Sequence, residues 1–236
     1  MVRGISLAVA LAATLGLSGA QAREGAPATV AVTVPTSQAL SPLDALVSDY
    51  EAWNLAQSPI SAGQNGDRAA LSKLPDVTPA ADAARKAALE GFKARLDAIP
   101  AASLDADGQL NRAFLARLIS DNLGYIAFDT GRFAFSSDDG FHLLAPYVAT
   151  VTPINSVADA EAWLGRMGAL AKYYDDNIAN ARRGIRTGWL QPRMISEIVL
   201  GQAQAALKIA PEADPLMTPF RAMSPAIAAA EQAALK

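Results

Sequence analysis

What most constrains this chain is the return of apolar residues every three or four positions, in runs that begin beside a hydroxyl residue and a proline. Ser41-Pro42, Thr78-Pro79 and Ser224-Pro225 each carry this start signal. A hydroxyl accepts a bond from the N–H groups that a helix leaves open in its first turn, and proline there has no N–H to lose. After Ser41-Pro42, Leu43, Leu46, Val47, Tyr50 and Trp53 mark one stripe of a helix that should stop before Pro59. After Thr78-Pro79, the stripe is Ala84, Ala88, Phe92, Leu96 and Ile99, closed by Pro100. A third helix, capped by Asp105 or Asp107, carries Leu110, Phe114, Leu118 with Ile119, Asn122 and Ile126 before Gly131. Asn122 reads as a core amide with its bonds satisfied.

The longest helix is expected from Ser156-Val157-Ala158-Asp159, a capping box with aspartate in place of glutamate. Trp163, Met167, Leu170, Tyr174 and Ile178 would share its buried face. Gly184 and Gly188 bracket its end, and Pro192 opens a helix to about Ile209 that would bury Ile195, Ile198, Val199 and Ala206. A proline-punctuated connection from Pro211 to Pro219 leads to a last helix opened at Ser224-Pro225, with no stop signal between Ala226 and Lys236. Two stretches break the pattern and are expected as long irregular loops, Ser58 to Thr78 and Gly131 to Pro153. The fold class is therefore all-α, a multi-helix array with long irregular loops.

Composition narrows the chemistry. At 51% hydrophobic and 18% charged residues the chain should bury a core. A formal charge of −3 gives no basic field, which argues against nucleic acid as a partner. There is no cysteine and a single histidine, His142. Disulfides, thiolate zinc sites and cysteine nucleophiles are excluded, and one histidine cannot build a zinc site. No H-E-x-x-H, G-x-S-x-G, phosphate loop or G-x-G-x-x-G occurs. No catalytic residue, metal ligand set or cofactor is expected within this chain.

Residues 1–22 read as a secretory signal peptide. Arg3 precedes an apolar run from Ile5 to Leu17, and Ala20-Gln21-Ala22 gives the small-x-small pattern for cleavage after Ala22. The product should be periplasmic or secreted, without a stable membrane anchor after cleavage. Residues 23–40 read as a flexible leader, and 41–236 as the helical part.

Four residues are candidates for the wall of a substrate cleft: Asp138, Asp139, His142 and Arg186. The segment Ser136-Ser137-Asp138-Asp139-Gly140-Phe141-His142 has ordinary turn chemistry, yet functional groups also concentrate on such loops. His142 is expected to be hydrogen-bonded and structural. Arg182, Arg183 and Arg186 suit a helix C-terminus, with a substrate carboxylate as the alternative.

Several short stretches stand in one order. They are Tyr50-Glu51-Ala52-Trp53, Ser58-Pro59-Ile60-Ser61-Ala62, Leu74-Pro75-Asp76-Val77-Thr78 with Arg85, and Gln109-Leu110-Asn111. Asp139-Gly140-Phe141-His142, Asp159 through Trp163 and Leu164, and the turn from Gly184 to Pro192 follow. Across roughly residues 43 to 220 this resembles the N-terminal half of the bacterial family known as domain of unknown function 885. Members are similar to zinc metallopeptidases of the gluzincin type, are often exported and are mostly α-helical. Their metal site is expected at an H-E-A-x-P-G-H element in a C-terminal half, to which nothing here corresponds. The resemblance implies a truncated, non-catalytic N-terminal portion of a secreted zinc-dependent peptidase-like hydrolase. Its helices would form one wall of a cleft for a peptide substrate, with zinc, its activated water and a glutamate base present only in a full-length relative. Helices lacking such a half would expose apolar faces. The competing reading is a stand-alone exported α-helical domain that binds or supports a partner without chemistry.

Overall fold

Four of the described helices begin on a capping side chain. In the computed structural model, which describes residues 40–235, α1 spans Pro42–Ala56 and the Ser41 hydroxyl accepts from the Asp44 N–H at 3.1 Å. α3 spans Pro79–Asp97, with Thr78 accepting from Ala81 N–H, and α4 spans Ala106–Phe128, with Asp105 accepting from Gly108 N–H. Of the two possible caps for α4, Asp105 is therefore the one used. The signal peptide expected over residues 1–22, and the leader up to residue 39, lie outside the described residues. Among the described residues no helix is long and apolar enough to cross a membrane.

α1, α3 and α4 close the first core around Leu43, Leu46, Leu89, Leu96, Leu115 and Ile119. Tyr50, Trp53 and Phe92 stack edge-on and tilted at its rim, with centroids 5.4 to 5.8 Å apart. Arg112 reaches from α4 to the carbonyls of Ile99 and Leu96, so a cation sits on the C-terminal end of α3. Asn122 donates to the Leu118 carbonyl and the Tyr50 hydroxyl, as a satisfied amide should. The stripe of α4 is displaced from the expected one. Leu110 and Phe114 are exposed, and Leu115 and Ile119 carry the contact. Apolar residues on α4 cover more than one face, and packing against α3 selected the neighbouring one.

The two stretches expected as irregular both contain helix. Pro59–Gln64 forms α2, followed by a 3-10 turn at Arg68–Ala70, and Phe141–Thr150 forms α5 with Pro146 inside it. Short helices leave too few periodic positions to be read, and they persist through tertiary contacts. The second core gathers Val148, Ala149, Ile154, Ala160, Trp163, Phe220 and Ile227.

The expected longest helix is two. α6 spans Val157–Gly168 and α7 spans Leu170–Arg186, with Ala169 as the junction beside Gly168. The break resets the buried face of α7 to Tyr173, Asn177, Asn180 and Gly184, leaving Ile178 exposed instead of buried, with Ile185 exposed as well. α4 is the longer helix.

The corner after α7 forms as the glycines suggest. A Cβ on Gly184 would stand 2.5 Å from the Arg132 carbonyl oxygen, so only glycine lets that backbone approach, and Gly188 adopts φ +81°. α8 spans Arg193–Ala206, one residue after the expected proline start, and buries no residue. Ile195 and Val199 are half-buried; Ile198 and Ala206 are exposed. The chain then passes through 3-10 turns at Pro211–Ala213 and Pro215–Met217 to α9, Thr218–Arg221, and α10, Ala229–Ala234. The last helix thus opens at Ala229 instead of Pro225, since the Ser224 hydroxyl accepts from Ala226 N–H in a local turn.

At the start of α6, Ser156 Oγ accepts from Asp159 N–H at 3.2 Å and donates to Asp159 Oδ2 at 2.9 Å. Burial alone would push the Asp159 carboxyl up, but the bonds from Ser156 and Asn155 N–H, with Arg68 at 2.6 Å, bring it below the ordinary carboxylate range. A lowered folded-state value adds stability that is present above about pH 4 and is lost as pH falls through the lowered value. Asp159→Asn should lower stability at neutral pH by roughly 2 kcal/mol and flatten the acid limb of the stability–pH curve in urea titrations. An unchanged acid limb would contradict this account. For the first core, Leu115→Ala should cost about 3 kcal/mol and Phe114→Ala less than about 0.5, measured by chemical denaturation.

Candidate functional site

α5 and α7, with the loop between α4 and α5, enclose a cleft of about 710 Å³. α5 contributes Leu143, Leu144 and Tyr147, and α7 turns Tyr173, Asn177 and Asn180 toward it. The polar side of α7 therefore faces inward. Asn180 donates to the Val77 carbonyl at 2.7 Å and accepts from Arg183 at 2.9 Å. Asn177 donates to the Tyr173 carbonyl at 2.8 Å. Burial pushes the Tyr173 hydroxyl up, so it stays protonated as a hydrogen-bond donor at neutral pH.

The loop wall is built from short polar bonds. Ser136 N–H donates to the Asp139 carbonyl at 2.7 Å, Asp138 accepts from the Ser136 hydroxyl, and Asp139 accepts from Gly140 N–H. Phe135 and Gly140 form an isolated antiparallel bridge that closes the loop. At its base, Asp129 adopts a left-handed φ of 53° and pairs with Arg132 and Arg183. Arg132 lies over the Trp189 ring at 4.3 Å and fixes the corner after α7 to this loop.

Of the four sequence candidates, the structure brings Asp138 and Asp139 to the cleft wall. His142 points away, toward α8. Gln202 donates to the Ser137 carbonyl, so its oxygen faces His142 Nε2 at 2.9 Å and Nε2 carries the proton. His142 Nδ1 is buried without a partner, and Phe135 and Phe141 meet the ring edge-on. Arg186 is exposed in the last turn of α7 and lines no part of the cleft; its neighbour Arg183 is spent on Asp129 and Asn180.

Sequence reasoning passed over Asn177 and Asn180. Their signal was present: Tyr173, Asn177, Asn180 and Gly184 recur at helical spacing, a polar and small stripe beside the apolar one. The cleft offers amides, hydroxyls, carboxylates and aromatic surface, a set suited to binding. Among the described residues no group of three or more His, Asp or Glu side chains is placed to hold a metal ion. The donor set does not fit zinc, which needs three protein ligands and an open position.

An array of helices with a polar-walled cleft among the described residues defines an all-α protein. The chain belongs to the family described as bacterial protein of unknown function (DUF885), whose model matches residues 59–236. No curated protein and no solved structure matches it.

Asn180→Ala would strand the Val77 carbonyl and one Arg183 N–H group. It should cost about 2 kcal/mol, whereas Asp138→Ala on the loop should stay within about 0.5 kcal/mol by urea denaturation. Equal effects would show that the cleft wall does not depend on the α7 amides.

Proposed function

We propose that this chain forms the non-catalytic, substrate-facing portion of an exported zinc-dependent, peptidase-like hydrolase, with the cleft between α5 and α7 receiving a peptide. The observation that carries the reading is the coexistence of that cleft with an amphipathic helix, α8, that buries none of its residues. Met194 is 66% exposed and Leu207, at the C-terminal cap of α8, 87% exposed, a state that costs solubility unless another surface covers them. α8 stands beside the loop wall through Gln202, so whatever covers its apolar residues would also border the cleft. Within the cleft, Asn177 suits an amide group of an extended peptide, and Asp138 and Asp139 suit a basic side chain or amino terminus. On this reading bond cleavage belongs to the metal-binding half of a full-length protein, and the residues lining this cleft bind and orient.

The test is the intact mass and metal content of the native protein, isolated from its own cell. We expect a mass above that of residues 23–236 and about one equivalent of zinc. A mass ending at Lys236 without metal would overturn the reading in favour of a stand-alone binding domain.

A further inference from the structure

A second cavity, of about 340 Å³, lies on the other side of α5. Leu143, Leu144 and Tyr147 of that helix face the first cleft, while Val148 of the helix and Val151 and Thr152 just after it face this one. Its floor holds Arg166 of α6, which is only 3% exposed. Arg166 Nε donates to the Lys73 carbonyl at 3.0 Å and Nη2 to the Ala70 carbonyl at 2.9 Å. Both acceptors are neutral. Nη1 makes no hydrogen bond within the described residues, and no carboxylate among them pairs with this guanidinium.

A buried arginine cannot shed its proton, and a buried charge ordinarily has a counter-charge. The sole acid on this wall is Asp159, already committed to Arg68 at 2.6 Å, the Ser156 hydroxyl and Asn155 N–H. Two guanidinium groups against one carboxylate leave one positive charge on the lining. Burial pushes the Arg166 pKa down, the direction expected of a cation whose environment leaves it uncompensated.

We propose that this cavity is a subsite for an organic monocarboxylate, bound by the guanidinium of Arg166 and flanked by the Arg68–Asp159 pair. A planar guanidinium matches a carboxylate through parallel N–H···O bonds. One net charge balances one carboxylate, and a dianion would meet the Asp159 carboxylate unpaid. The remaining wall, with Val148, Val151 and Thr152, suits a short aliphatic body. The proposal stands on this cavity alone and does not need the peptidase reading.

Calorimetric titration of the purified protein tests it with N-acetylalanine and trialanine, each beside its C-terminal amide. We expect an acid to bind and its amide not to bind. Binding by trialanine alone identifies a peptide C-terminus as the source, binding by N-acetylalanine alone a free acid, and either supports the subsite. Arg166→Gln should weaken binding about tenfold or more. Because that change also gives up the bonds to Ala70 and Lys73, Val151→Trp is the second variant. Val151 is 37% exposed on the wall, and an indole there fills the cavity while leaving the Arg166 bonds in place. Loss of acid binding in a Val151→Trp protein with unchanged melting supports the subsite. Equal binding of acid and amide, no acid binding at all, or unaltered affinity in Val151→Trp overturns it.

Discussion

The structure depends on how the segment after α2 is held. Between Gly66 and Thr78 the chain has little helix, so its carbonyl groups need donors from elsewhere. Arg166 supplies two of them, to Ala70 and Lys73, and Asn180 supplies one to Val77. Arg68 on the same segment pairs with the Asp159 carboxylate of α6. Four links therefore fasten the strip that precedes α3, in the first core, to α6 and α7, in and beside the second. Each donor or acceptor on the helix side is largely buried, which strengthens the bond and raises the penalty for losing a partner. Hydrophobic contacts build the two cores, and these polar links set the strip between them.

Those links also explain the odd polarity of α7. A helix whose buried face is Tyr173, Asn177, Asn180 and Gly184 gains little from burial of apolar area. It gains instead from making bonds that irregular neighbours require. Asn180 serves Val77 and Arg183, and Gly184 admits the Arg132 carbonyl. The cleft is a consequence: where α7 turns amides inward and α5 turns Leu143, Leu144 and Tyr147, no interdigitated apolar core can form, and space remains between them.

The same polarity leaves apolar surface uncovered. Ile178 and Ile185 on α7, Leu110 and Phe114 on α4, Met194 and Leu200 on α8, and Leu207 just past its end all face outward. Scattered singly such residues are ordinary; ranged along three helices they form faces that a partner surface would bury. α8 is the extreme case, since side-chain bonds from Gln191 and Gln202 tie its ends to the α4–α5 loop without any buried apolar anchor.

The sequence by itself determined the helical class, the starts of α1, α3, α4, α6 and, within one residue, α8, and the corner at Gly184. These are local matters, settled by a cap within three residues, a proline without an N–H, or a glycine that admits a close backbone. Of the four candidates, Asp138 and Asp139 line the cleft between α5 and α7, and His142 and Arg186 do not. Tertiary structure alone decided which of two faces α4 would bury, where the helix after Ser156 would break, and that α7 would turn its amides inward. It also formed α2 and α5 in stretches without periodicity. Each of these is a choice between local states of similar energy, and only contacts between residues far apart in the chain separate them.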